Sequence, residues 1–327
     1  MTEIAEQVRD LINKRSPLEA LTLIKQNSPQ EVKQVINNLF DDPKQMEKLD
    51  EGWQKLVSLV YNSYFSFITS DQTDDQSLTE CTVSSLSAAK HSRELGFPEL
   101  EVTFMFNAAQ ALTHMDMKER ALKCYMEAKK LVESMEGNHT DWYAAILNNI
   151  GALFIETKRI EEAEDYLKQA LEMRRKLAEE DENRLPELAE TLSNAAALYG
   201  DKRNYKLSED YYNEAISIFS KLAQDNFFHK ANLASTLNNY SIVLKRIGRH
   251  EEAENKLKES LEMFKELTGI NKVFEGMYAE TYNLLGMLYN ETGRQKEAEK
   301  CFNEWKSILE KMDKEQIQEK IGRSEGE

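Results

Sequence analysis

Hydrophobic positions in this chain recur at helical spacing and at a second, much longer spacing. Four segments align without gaps: YAAILNNIGALF from Tyr143, LAETLSNAAALY from Leu188, LASTLNNYSIVL from Leu233 and YAETYNLLGMLY from Tyr278. Each begins 45 residues after the last, and each is followed at constant distance by a second segment: RIEEAEDYLKQAL, NYKLSEDYYNEAI, RHEEAENKLKESL and RQKEAEKCFNEWK. A weaker copy, VTFMFNAAQAL from Val102 with MKERALKCYMEAKKL, precedes them by 42 residues. Within a copy, Leu147, Ile150, Gly151 and Phe154 fall at i, i+3, i+4 and i+7, one face of a helix. Ala163, Leu167, Ala170 and Leu171, at i, i+4, i+7 and i+8, likewise mark one face of the partner segment. The short polar stretch ETKRI between them suits an antiparallel helix–turn–helix. The elements predicted are therefore helix pairs, repeated in tandem.

Small and large residues alternate at fixed places in these copies. Ala109, Gly151, Ala196, Ser241 and Gly286 share one position, and Ala121, Ala163, Ser208, Ala253 and Ala298 share another. Two helices approach closely only where neither carries bulk. Leu112, Phe154, Tyr199, Leu244 and Tyr289 from the first helix, and Tyr125, Leu167, Tyr212, Leu257 and Phe302 from the second, fill the space alongside.

The N-terminal hundred residues do not align with the copies but carry helical patterns. SPLEALTLIKQ and SPQEVKQVINNLF each open on Ser-Pro, a cap residue followed by proline at the first helical position. Leu18, Leu21 and Ile24 mark one side of the first, and Val32, Val35, Ile36 and Leu39 a cleaner stripe on the second. EKLDEGWQKLVSLVYNSYFSFI is apolar around much of its circumference and predicts a well-buried helix. TSDQTDDQS reads as a loop, and SLTECTVSSLSAAKHSREL as another helix, with Ala89 standing where Ala128 stands in the next copy. The expected division is residues 1–100 as a helical cap with a degenerate repeat. Five repeats then occupy 101–312, at about 102–140, 143–184, 188–226, 233–271 and 278–311. A charged tail, 313–327, begins by continuing the last helix and ends in disorder.

This small/large alternation resembles the tetratricopeptide repeat (TPR), and the long period with its LNN motif is similar to the kinesin-light-chain type. The resemblance implies an all-α, right-handed superhelix of antiparallel helix pairs, an α-solenoid, with an N-terminal helical cap that hides the first open core face. The chain departs from the consensus in lacking the repeat-terminal proline; only Pro186 lies near such a linker. The long second helices stand in for the tight turn.

Composition narrows the function. The 327 residues carry a net charge of -16, spread along the chain, so a phosphate backbone or an anionic membrane would be repelled. No run approaches about 18 apolar residues, so no membrane span is predicted. The N-terminus has no apolar signal segment. Cys81, Cys124 and Cys301 are odd in number and widely spaced, which argues against disulfides or structural zinc and for free thiols in the cytoplasm. The five histidines, His91, His114, His139, His229 and His250, form no HExxH pair, and no phosphate-binding glycine loop or GxSxG occurs. No catalytic residue, metal or cofactor is expected.

The resemblance further implies that the first helices line an inner groove. It places Asn107, Asn148, Asn149, Ser193, Asn194, Asn238, Asn239 and Asn283 on that face, with Glu190, Lys245 and Arg246 along or near it. An asparagine amide both donates and accepts, so a row of them can pair with the backbone of an extended peptide. The same amides can equally cap or bridge neighbouring helices. The second, fifth and sixth groove positions include no Lys or Arg, unlike the clamp of chaperone-binding domains of this family. Glu156, Glu190, Asp201, Glu280 and Glu291 make the surface suited to a basic or apolar segment.

The function expected is a monomeric, cytoplasmic interaction scaffold that binds a peptide or helical segment of a partner protein, without nucleic acid or membrane. The alternative is a regulatory protein that binds a small peptide or a response-regulator domain, since an N-terminal helical bundle before such an array resembles the bacterial response-regulator aspartate phosphatases. Gln45, Glu51 and Gln54 lie in the corresponding stretch. Trp305, where a small residue is expected in the last copy, either seals the terminal core or leaves an apolar patch.

Overall fold

A computed structural model describes residues 2–69, 75–224 and 226–324. It divides into two compact units, Met1–Leu153 and Phe154–Glu327. Among the described residues there are helices and turns and no strand.

The first unit opens with α1 (Thr2–Asn13), α2 (Pro17–Asn27) and α3 (Gln30–Asn37). A 3₁₀ turn, Pro43–Lys48, leads to α4 (Glu51–Thr69), α5 (Asp75–Leu95), α6 (Pro98–His114) and α7 (Lys118–Ser134). α8 (Thr140–Glu156) spans the boundary between the units. The second unit continues with α9 (Ile160–Glu180), α10 (Leu185–Asp201), α11 (Tyr205–Leu222), α12 (Phe227–Arg246), α13 (His250–Ile270), α14 (Glu275–Glu291) and α15 (Gln295–Ser324). Consecutive helices pack: α4 on α5, α5 on α6 and α6 on α7 in the first unit, α10 on α11, α12 on α13 and α14 on α15 in the second.

Several N-terminal expectations shift on contact with the structure. Leu18 is exposed, and α2 instead buries Ala20, Leu21 and Ile24. The second Ser-Pro sits one residue early, so Pro29 rather than Ser28 is the N-cap of α3. The stripe Val32, Val35, Ile36 and Leu39 is buried. The buried helix expected from Glu47 starts at Glu51, where Asp50 Oδ1 accepts from the Gly52 and Trp53 amides. α4 does bury Trp53, Leu56, Val57, Leu59 and Val60. The expected loop 69–77 is shorter, since α5 already begins at Asp75; residues 70–74 lie outside the described residues. At the other end α15 runs to Ser324, and residues 325–327 lie outside the description.

The turns inside the pairs share one device. Asp116, Lys158, Arg203, Gly248 and Gly293 all hold positive φ, from 57° to 79°. The amide one residue later reaches back to a carbonyl five residues before it: Met117 to Leu112, Arg159 to Phe154, Asn204 to Tyr199, Arg249 to Leu244 and Arg294 to Tyr289, each at 2.8–2.9 Å. That is the Schellman bond, which needs one left-handed residue after the helix and uses an otherwise orphaned carbonyl. The large residues of the first helices, Leu112 through Tyr289, are the ones whose carbonyls accept.

The linkers between pairs use a different device. Asp181, Asn226 and Asn271, again 45 apart, are extended, with φ from -143° to -149°. Each accepts on its side-chain oxygen from the amide two residues on: Asn183, Phe228 and Val273, at 2.8–3.0 Å. These Asx turns redirect the chain where the usual repeat would place proline. Proline is dispensable because a polar side chain supplies the acceptor.

The small positions are buried. Ala109, Ala121, Ala163, Ala196, Ser208 and Ala253 have no exposure, and Ser241 and Ala298 only 2%. Ser208 Oγ donates to the Ala196 carbonyl at 2.6 Å, a bond possible only because both positions are small. A Cβ on Gly286 would sit 2.8 Å from Phe302 Cε1, so the ring rests against bare backbone. Tyr125, Leu167, Tyr212 and Leu257 are buried to within 2%.

Candidate functional site

In the second unit α12 touches both α10 and α14, and each of these first helices also packs on its partner. Gly200 permits a close approach of α10 to α12, because a Cβ there would lie 2.8 Å from Val243 Cγ2. Polar bonds brace the same seam. Asn232 Nδ2 donates to Glu190 Oε1 at 3.0 Å, and Ser193 Oγ lies 3.5 Å from Thr236 Oγ1. Asn238 Nδ2 donates to Thr281 Oγ1 at 2.8 Å. Three helices thus present one continuous face within this unit.

The predicted groove residues divide along that face. Asn238 and Ser193 are buried between helices. Asn239, one residue on and so turned by about 100°, is exposed. Asn194 is half-buried. Asn283 is half-buried with Nδ2 3.5 Å from Glu280 Oε2, and Glu280 is exposed. Ile242 and Leu284 are half-buried, and Met287 is 44% exposed. Between α12, α13 and α14 these three, with Lys245, line a cavity of about 110 Å³.

Glu190 is open to solvent and accepts from Asn232. Desolvation raises its carboxyl pKa, with Glu187 adding to the rise and Arg174 and Asn232 opposing it. Lys245 and Arg246 are engaged at the C-terminal ends of the first helices. Lys245 Nζ lies 3.0 Å from Glu291 Oε2, and Arg246 pairs with Asp201. Lys158 reaches the same aspartate at 3.4 Å. Arg246 and Lys158 join helix ends, while Lys245 is paired with Glu291 and also lines the cavity.

In the first unit Asn107 is buried on α6 and donates to Ser66 Oγ of α4 at 3.1 Å. Asn149 is half-buried and donates to the Ala145 carbonyl of its own helix at 2.8 Å. Asn148 is half-buried beside it. Gln45 Nε2 donates to Asp42 Oδ2 at 3.1 Å, and Glu51 pairs with Lys55 at 2.6 Å. Trp305 is half-buried on α15.

Sequence reasoning missed a second set of carboxylates. Glu164, Glu209 and Glu254, one on each of α9, α11 and α13, bind the next repeat. Glu164 accepts from Lys202 at 2.5 Å and from Tyr199 at 3.3 Å. Glu209 accepts from Tyr240 at 2.6 Å and Arg249 at 2.7 Å. Glu254 accepts from Tyr289 at 3.0 Å and Arg294 at 2.5 Å. Their recurrence every 45 residues was the available signal.

The three cysteines are buried and in no disulfide, and burial raises the thiol pKa of Cys124 and Cys301. No helix among the described residues is long and apolar enough to cross a membrane.

Helix pairs closed by left-handed turns, stacked by small residues and presenting first helices on one face, define a helical-repeat interaction protein. A tetratricopeptide-repeat model matches residues 101–176 and 187–266, and a second model of that repeat matches 279–307. Together they cover more than half of the chain, which belongs to the tetratricopeptide-repeat family. No curated protein matches the sequence. Among solved structures, the apo form of RapI is similar at 16% identity and a TM-score of 0.62, over 95% of this chain and 98% of that one. A Rap protein complexed with Competence and Sporulation Factor is similar at 15% identity and 0.62, over 94% and 79%. BtubC (BKLC) from P. vanneervenii is similar at 20% identity and 0.56, over 72% and 92%. At these identities the likeness is one of fold.

Proposed function

We propose that the α10–α12–α14 face binds a segment of a partner protein and that the chain works there as a scaffold, without catalysis. The repeat fold is an interaction fold. The observation that carries this particular site is a buried Asn238, spent on Thr281, next to an exposed Asn239 on α12, the helix that also lends Ile242 to a cavity. Asn239 and Asn194 occupy equivalent repeat positions and would exchange amide bonds with the segment's backbone. Ile242, Leu284 and Met287 would take an apolar side chain, and Glu190 and Glu280 a basic one. The buried thiols, in no disulfide, suit a reducing compartment, so we assign the protein to the cytoplasm; we also take it to act as a monomer.

Capture of the partner from native extract by the full chain, compared with an Asn194→Ala/Asn239→Ala variant, tests this reading. Two net hydrogen bonds at about 0.5–1.5 kcal/mol each make the expected loss of affinity about tenfold, with thermal unfolding unchanged. Intact affinity in the folded variant would remove the asparagines from the binding site.

A second reading has support of its own, because the similarity to RapI extends over 95% of this chain and so includes the N-terminal helices. Another similar structure is named as aspartyl phosphate phosphatase F of Bacillus subtilis. On this reading the chain binds a response-regulator domain, with Gln45, Glu51 and Gln54 as the residues to replace. An unchanged phosphate lifetime on a phosphorylated receiver domain would dispose of the phosphatase form.

A further inference from the structure

The first unit holds a larger cavity, of about 460 Å³, between α5, α6 and α7. That size lies within the range of ligand sites. Its floor is apolar: Ala89, Met105, Leu112 and Cys124 are all buried. Leu86 stands at its edge, 41% exposed, and Val83, 63% exposed, lies one helical turn before it on α5. Large exposed apolar side chains on one stripe of a helix call for a cover.

Its walls are basic. Lys90 and Arg93 rise from α5, and Arg120 and Lys123 from α7, against the single carboxylate of Glu127. Arg93 is bound by Glu101 at 2.5 Å. Among the described residues Lys90, Arg120 and Lys123 have no ion-pair partner; Arg120 Nη1 donates to Met117 Sδ, at 3.9 Å. Three cations unpaired around one cleft stand out in a chain of net charge -16, where acids outnumber bases by 58 to 42.

The distribution of charge selects the occupant. A small carboxylate amphiphile needs cations at one end of an apolar slot. Here cations stand on both walls, with the apolar floor between them. From Leu86 to Arg93 the α5 wall is two helical turns, about 10 Å long. We propose that this cleft binds an acidic amphipathic helix of another protein. Its apolar i, i+3/i+4, i+7 stripe would lie on Leu86, Met105 and Leu112, with Asp or Glu on either side meeting Lys90 and Lys123. The mode is helix-in-groove docking with charges setting the register.

The test uses the full chain and a displayed library of random 14-residue peptides. Selected peptides are synthesised and measured by fluorescence anisotropy against wild type, Lys90→Glu/Lys123→Glu, and Asn194→Ala/Asn239→Ala. The expected result is a class of peptides with an apolar helical stripe flanked by acids. Their affinity should fall at least tenfold in the Lys90→Glu/Lys123→Glu variant, weaken with added salt, and be unchanged in the asparagine variant. Lys-for-Glu versions of the same peptides should bind Lys90→Glu/Lys123→Glu better than wild type. That swap shows the variant is folded and that charge determines the contact. The proposal is overturned if no selected peptide depends on Lys90 and Lys123, or if the dependent peptides lack the stripe. It is equally overturned if dodecanoate alone fills the cleft and blocks every such peptide, or if the wild type dimerises through these lysines.

Discussion

Arg294 and Glu254 stand 40 residues apart in the chain and meet at 2.5 Å, Nη1 to Oε2, while Arg294 also holds Glu297 at 2.9 Å. Tyr289, on the same helix pair as Arg294, donates its hydroxyl to the other oxygen of Glu254. One carboxylate on α13 thus fixes the first helix of the next pair and the turn that follows it. Glu209 does this for α12, and Glu164 for α10.

These carboxylates make the second unit sensitive to acid. Hydrogen bonds from Lys202 and then Lys168 lower the pKa of Glu164 from 4.5 to about 2. Those from Tyr240 and Arg249 lower Glu209. At Glu254 desolvation pulls upward but is outweighed by Lys258, Arg294 and Tyr289. A carboxyl whose folded pKa lies below its unfolded one stabilises fully above the unfolded value and loses that contribution as pH falls through the folded one. Melting temperature should therefore hold above about pH 5 and decline from about 4.5 toward 2. The Glu164→Gln/Glu209→Gln/Glu254→Gln protein should start lower at pH 7 and show a shallower decline. Equal slopes by calorimetry would separate acid unfolding from this ladder.

The left-handed turn position offers a stabilising change. Arg203 carries a side chain at φ 60°, where Gly248 and Gly293 stand in the later repeats. A left-handed residue with a Cβ costs about 1–2 kcal/mol, offset in part by the greater freedom of glycine in the unfolded chain. Arg203→Gly should stabilise by about 0.5–1 kcal/mol, and Gly248→Ala should destabilise by about 1 kcal/mol. Urea unfolding of the two variants checks the opposite signs.

Gly286 is required by its neighbour rather than by its backbone. Overpacking a methyl against Phe302 should cost about 1–3 kcal/mol in Gly286→Ala. In the preceding repeat Ser241 is matched by Leu257, so Gly286→Ala/Phe302→Leu should recover much of the loss. A double-mutant cycle on unfolding free energies should give a coupling well above 0.5 kcal/mol; additive effects would mean the ring simply swings aside.

Adjacent asparagines should behave oppositely. Asn238→Ala removes a buried bond to Thr281 and should cost about 1–2 kcal/mol of stability. Asn239→Ala is exposed on a helix, where alanine is a good helix former, and should leave the melting temperature within a degree or two. Thermal scans of both decide whether the exposed residue is free of structural duty.

Much of this architecture was legible as periodicity. The 45-residue spacing, the small positions from Ala109 to Gly286 and the large ones beside them are local or repeated properties. A repeat displays its packing requirement once per copy, so the five copies made the tetratricopeptide pattern readable from residues alone. The Asx linkers at Asp181, Asn226 and Asn271, and the glutamates of the ladder, were written at the same spacing. Their role appeared only when the structure supplied the donors.

Tertiary structure decided what no period encodes. Asn238 and Asn239 have the same side chain and nearly the same sequence position, yet one step of about 100° buries the first and exposes the second. Lys245 and Arg246 are neighbours in sequence, yet Lys245 pairs with Glu291 beside the cavity and Arg246 pairs with Asp201. The basic cleft has no sequence signature, because Lys90 and Lys123 come from different helices and become neighbours only when α5, α6 and α7 pack. The sequence by itself determined which residues pack and how often the unit recurs, since helical periodicity is a local property. Burial of a particular amide and pairing of distant charges depend on which helix lies opposite, and only the folded chain supplies that.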